Sequence, residues 1–133
     1  TEDDIEKYVG VSKEYNAFEL QAAMSKKDLA KAIKIIQYFE GNPKAAPIQL
    51  VLPALYGLFS KLYIIFGMAE KPFFYNNSYA AKEALATAKM YGYDGVERAL
   101  LLLHEYNLKS VGVNDSGTSD GSLLKEMVVK MMG

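Results

Sequence analysis

The sequence predicts an all-α fold, a helical bundle of about six to seven helices around a buried apolar central helix. Three observations lead there. Apolar residues recur every three or four positions through most of the chain, the period of an amphipathic helix, and no stretch alternates convincingly as a strand would. Most of these runs open on a capping Thr, Asn, Ser or Asp, and several close on Gly. Residues 47–69 carry just three strongly polar side chains, Gln49, Ser60 and Lys61. A helix apolar nearly all round must be covered nearly all round, so this stretch is expected at the centre with the other segments packed about it.

Taken in order, Thr1 and Asp4 have capping-box spacing, Ile5, Tyr8 and Val9 share a face, and Gly10 supplies a stop. So short a helix does not stand alone. Residues 1–12 are therefore read as the end of a preceding module with its linker, and 13–133 as the domain, which makes the chain a piece of something longer. Asn16, with Glu19 three residues on, caps a helix to about Met24 whose inner residues are Ala17, Leu20 and Met24. Asp28 opens the next, with Leu29, Ala32, Ile33, Ile36 and Phe39 inward until Gly41, Asn42 and Pro43 end it. In the apolar stretch Pro53 removes a backbone donor, so the helix kinks there or begins there. Its length suits a bilayer span, but Pro53 and Lys61 interrupt it, and no membrane is expected as a partner.

A connector over 70–77 holds Phe73, Phe74 and Tyr75, rings expected to fold back onto the core. Asn77 or Ser78 caps a helix with Ala81, Ala84, Leu85 and Ala88 inward, which Gly92 terminates after Tyr91. Asp94 starts another, with Val96, Ala99, Leu100, Leu103 and Asn107 on its inner face, Leu101 and Leu102 widening it, and Glu105 and Lys109 paired four apart. Residues 110–121 read as a loop. The last helix runs from about Ser122 to Met132 with Leu123 or Leu124, Met127, Val128 and Met131 inward.

Chemistry is harder to find than structure. The net charge is −1, with 15 basic and 16 acidic residues, so no global field selects nucleic acid or an anionic membrane. With no cysteine, disulfides, thiolate metal sites and thiol catalysis are excluded, which fits a reducing compartment. Gly112 and Gly117 have P-loop spacing, but Thr118 stands where the phosphate-binding Lys is required. Asp115 to Glu126 spans twelve positions like an EF-hand loop, yet Asp120 replaces its sixth-position glycine. His104 is the sole histidine and has no second histidine for a metal site, and no G-x-S-x-G turn is present for serine catalysis. Carboxylates near helix starts are explained by capping and the helix dipole. No catalytic residue, metal ligand or cofactor site is therefore expected. Lys26, Lys27, Lys31 and Lys34 are the candidate DNA-facing residues, set against the plainer reading of a solvated outer face.

Three stretches together carry a resemblance: Asn16-Ala17-Phe18-Glu19-Leu20-Gln21-Ala22-Ala23 with Asp28-Leu29-Ala30-Lys31-Ala32; Asn42-Pro43 with Pro47-Ile48; and Lys109-Ser110 with Ser119-Asp120-Gly121-Ser122-Leu123-Leu124-Lys125-Glu126. The chain resembles the C-terminal part of the delta subunit of the bacterial DNA polymerase III clamp loader, in its Bacteroidetes-like form. The resemblance implies a cytoplasmic, all-helical collar domain that holds loader subunits together in DNA replication. It makes residues 1–12 the end of an AAA+-like lid module. It also implies that the fragment is not an enzyme, although it belongs to a polymerase holoenzyme subunit, and that the sliding clamp is met only through an N-terminal module outside this sequence. Two places depart from the family pattern. Phe73 to Asn77 replace a small helix with an A-x-x-L-G-like pattern, and Val111 and Val113 stand where some relatives carry a basic or aromatic residue near DNA, so DNA contact by that loop is not expected.

The expected subunit interface comprises Tyr56, Tyr63 and Phe66, bulky residues on more than one side of the apolar helix, and Val129, which interrupts the polar face of the last helix. The alternative reading is a free-standing helical nucleic-acid-binding or protein-interaction domain. A small helical enzyme would instead need a polar cluster facing inward, and the expected inward faces are apolar.

Overall fold

Asn16 begins the first helix as its N-cap, its side-chain oxygen accepting the Glu19 N–H at 2.9 Å, and Asp28 does the same for the second by accepting from Lys31 at 3.1 Å. The computed structural model describes residues 15–44, 47–68, 79–113 and 117–133. It contains α1 (Ala17–Ser25), α2 (Leu29–Gly41), α3 (Ile48–Met68), α4 (Tyr79–Ser110) and α5 (Asp120–Met132), and no strand among the described residues. The expected helix over 1–10, the aromatic connector and Asp115 lie outside those residues.

The described residues thus hold five helices where six to seven were expected of the whole chain, and α4 accounts for part of the difference. The two helices expected on either side of Gly92 form one element, broken where Gly92 takes φ 75° and ψ 164°. That combination is open essentially to glycine alone. The last helix also starts two residues early: Ser119, not a residue near 122, is its cap, accepting from the Ser122 N–H at 3.3 Å.

The sharp corner between α1 and α2 is built without glycine. Lys27 adopts φ 53°, the Asp28 N–H reaches back to the Ala23 carbonyl at 2.9 Å, and the Lys27 N–H reaches that of Met24 at 3.0 Å. Those two bonds are the Schellman pair that closes a helix C-terminus. The Ser25 carbonyl, and the Met24 carbonyl in addition to its bond from Lys27, take donors from far along the chain. Thr87 Oγ1 on α4 donates to the Ser25 carbonyl at 2.9 Å, and the Tyr91 hydroxyl donates to that of Met24. Thr87→Val keeps the shape and removes the donor from a site that is 5% exposed. The expected loss is about 1–3 kcal/mol in urea denaturation, the range for a buried acceptor deprived of its partner.

Packing corrects several inner-face assignments. On α2 the buried stripe is Ala32, Ile35, Ile36 and Phe39, whereas Leu29 is exposed and Ile33 is only half-buried. On α4 Tyr106 is buried where Asn107 was expected, and Leu101 points outward while Leu102 is buried. Apart from Leu29, which lies in the exposed first turn, these are shifts of about one position in a 3.6-residue stripe, which apolar runs such as residues 100–103 leave open. On α1 Ala23 joins Leu20 and Met24, and on α5 both Leu123 and Leu124 are inward.

The largest correction concerns α3. Among the described residues it is not covered all round: Ile48, Val51, Leu52, Leu55, Phe59 and Leu62 form a single buried stripe, and only 28% of its most apolar stretch is buried. α3 lies along α4 and touches α1, while α2 packs on α1 and α5, so the described helices flank α3 on one side only. Pro53 neither starts nor ends it. The helix opens after Pro47, whose carbonyl accepts from Leu50 and Val51, and it runs through Pro53 without interruption.

Candidate interaction surface

The open side of α3 carries Leu50, Tyr56, Tyr63 and Ile64, all exposed, on a helix whose one formal charge is Lys61. At its C-terminal end the face becomes aromatic. Residues 91 and 93 of an uninterrupted helix would point about 200° apart. The break at Gly92 instead lets both rings meet α3. Tyr91 turns inward and sets its ring edge-on to Phe59, centroids 5.1 Å apart, while Tyr93 packs beside Tyr63 at 5.5 Å and edge-on to Phe66 at 5.6 Å.

The Tyr63 and Tyr93 hydroxyls are 3.0 Å apart and share a hydrogen bond. That bond, with the charge of Glu97 adding to it, pushes the Tyr93 phenol up to about 12. Burial raises the Tyr91 phenol as well. Tyr63, Phe66 and Tyr93 thus form an aromatic platform, partly open to solvent, with the Glu97 carboxylate beside it.

Toward the other end of α3 lies a cleft of about 340 Å³ between α3 and α4. Its walls are Gln49, Leu52, Pro53 and Tyr56 from α3, facing Leu103, His104 and Asn107 from α4. Leu52 and Leu103 are buried and make an apolar floor, while Gln49, Tyr56, His104 and Asn107 are exposed. Pro53 has no N–H to give the Gln49 carbonyl its usual partner one turn on, which leaves an acceptor at the wall.

The expected interface residues divide. Tyr56 (58% exposed) borders the cleft and Tyr63 (39%) belongs to the aromatic platform. Phe66 is half-buried against the core and reaches that platform through Tyr93. Val129 is 45% exposed but stands on α5, which packs on α2 and α4 and only slightly on α3, so it is separate from this face. Sequence reasoning missed Tyr93, Leu50 and Ile64, together with the cleft. The flanking of Gly92 by two tyrosines was the available signal for the platform.

The four lysines do not make one row. All are exposed, but Lys27 sits in the corner before α2 with its Nζ 5.3 Å from the centre of the Tyr91 ring, while Lys31 and Lys34 lie on the outer side of α2. Between α4 and α5, Lys130 Nζ donates to the buried Tyr106 hydroxyl at 2.8 Å, and Lys109 Nζ lies 4.6 Å from that ring. Tyr106 in turn holds the Glu126 carboxyl below its ordinary range and raises Lys130, which makes this cluster a polar clasp between α4 and α5. The expected surface pair forms too, with Lys109 and Glu105 3.7 Å apart.

Among the described residues no three His, Asp or Glu side chains gather where a metal could sit. His104 is exposed on α4, as a flank histidine was expected to be. Comparison with known proteins returns no matching family model, no matching curated protein and no matching solved structure.

Proposed function

We propose that the chain is a non-catalytic oligomerisation module, the collar domain of the delta subunit of a DNA polymerase III clamp loader, acting in the cytoplasm to support sliding-clamp loading during DNA replication. The observation that carries the interaction reading is the uncovered face of α3, where Leu50, Tyr56, Tyr63 and Ile64 stay exposed on a nearly uncharged helix. Apolar surface of this extent on one element is the usual mark of a partner site, and aromatic anchors are its usual hot spots. The choice of clamp loader over other assemblies rests on the three resembling stretches of sequence. The partners are then neighbouring loader subunits, met side to side.

The test uses full-length delta subunit carrying Tyr63→Ala or Ile64→Glu on the α3 face, or Val129→Glu on α5, mixed with the other loader subunits. Loss of a hot-spot aromatic costs about 2 kcal/mol or more, so Tyr63→Ala is expected to weaken assembly roughly thirtyfold while the subunit stays folded and still binds the isolated clamp. Wild-type assembly by all three variants overturns the interface, and wild-type assembly after deletion of the whole domain overturns the collar function. A nucleic-acid-binding domain using Lys26, Lys27, Lys31 and Lys34 would instead bind single-stranded DNA with steep salt dependence. The diversion of Lys27 toward Tyr91 weighs against that reading.

A further inference from the structure

Within the α3 face, the cleft between α3 and α4 differs in chemistry from the aromatic platform. Its floor is apolar, made by Leu52 and Leu103, and its rim offers two carboxamides, a phenol and an imidazole from Gln49, Asn107, Tyr56 and His104. No Asp, Glu, Lys or Arg lines it. None of these four rim side chains has a hydrogen-bond partner among the described residues. We propose that this cleft is an anchor pocket for one bulky apolar side chain carried on an uncharged peptide segment of a partner protein.

Each feature narrows the occupant. A charged group entering over Leu52 and Leu103 would lose its hydration and find no counter-charge. A purely apolar occupant would cover the rim's donors and acceptors without replacing their bonds to water. A peptide supplies both requirements: a Leu-, Met- or Phe-like side chain for the floor, and main-chain amides whose donors and acceptors match carboxamides, which also offer both. The Gln49 carbonyl freed by Pro53 adds an acceptor for a peptide N–H. At about 340 Å³ the cleft falls at the low end of ligand pockets, roughly 300–1,000 Å³, which suits one anchor rather than a large cofactor.

The inference rests on the reading of the α3 face as an interaction surface, and its test is independent of loader assembly. The isotopically labelled chain is titrated with N-acetyl-phenylalaninamide, N-acetyl-leucinamide, N-acetyl-lysinamide and N-acetyl-glutamic acid amide while proton–nitrogen correlation spectra are recorded. The first two are expected to shift the side-chain amides of Gln49 and Asn107 and the backbone amide of His104 saturably in the millimolar range, with the charged pair about tenfold weaker or worse. His104→Trp, at an exposed rim position, fills the mouth and is expected to abolish these shifts while the rest of the spectrum stays that of the folded chain. The proposal is overturned if no shifts appear, if all four probes act equally, if the shifts centre on Tyr63 and Tyr93, or if they persist in His104→Trp. Cleft binding that survives alongside wild-type assembly by all three interface variants sinks the collar interface and leaves the pocket standing. Lost assembly with a silent cleft does the reverse.

Discussion

Phe59→Ala is expected to lower stability by about 3–5 kcal/mol, the range for deleting a fully buried aromatic ring. Phe59 has no solvent exposure and lies between the buried stripe of α3 and the ring of Tyr91. The substitution therefore removes apolar burial, leaves a cavity, and breaks an edge-to-face pair that contributes about 0.5–1.5 kcal/mol beyond its area. Most of the stability of a domain this size is of that order, so the variant is expected to sit close to its unfolding threshold. Urea denaturation followed by far-ultraviolet circular dichroism reads the change as a shift in midpoint at constant slope. A loss below about 0.5 kcal/mol, the value typical of surface sites, would take the inner stripe of α3 out of the core.

The second large effect is expected at Gly92. A Cβ built there meets nothing within 4 Å, so the cost of Gly92→Ala is not a clash but the backbone itself, held at φ 75° and ψ 164°. Placing an L side chain in that region costs about 1–3 kcal/mol. The chain has two responses. It can keep the break and lose that stability, or it can continue α4 as a regular helix, which swings Tyr93 away from Tyr63. Urea denaturation measures the first, and loss of nuclear Overhauser contacts between the Tyr63 and Tyr93 rings measures the second. A variant as stable as wild type with those contacts intact would show that the ring contacts do not depend on a glycine-only backbone conformation at residue 92.

Local rules made much of this fold readable in advance. Asn16 and Asp28 announced themselves as caps because the Asx side chain is the right length to accept an N–H three residues on, and Gly92 announced the break because no other residue tolerates its conformation. Leu29 aside, the buried stripes were read to within about one position. They slipped where neighbouring residues are all apolar, as at Ile33, Ile35 and Ile36 or at Leu100 to Leu103, since periodicity there fixes the helix but not its rotation. The covering of α3 was misjudged for a different reason: composition says that an apolar face exists, not how many helices come to it. The exposed tyrosines at 56 and 63 were identified from bulk alone, whereas the cleft joins Gln49 to Asn107 across two helices and has no linear signature. Tyr93 was overlooked because its neighbours were read as a helix end rather than as a device for aiming two rings.

The bonds from Thr87 and Tyr91 to the end of α1 bear on the order in which the chain matures. A nine-residue helix is too short to persist on its own in water. At its end the Ser25 carbonyl, and the Met24 carbonyl beside its local bond from Lys27, accept from donors 62 and 67 residues further along. During synthesis, which proceeds from the N-terminus, α1 emerges first of the described helices, while these two bonds can close only after the first half of α4 has left the ribosome. At this corner the first described helix to emerge receives its final hydrogen bonds from one of the later ones.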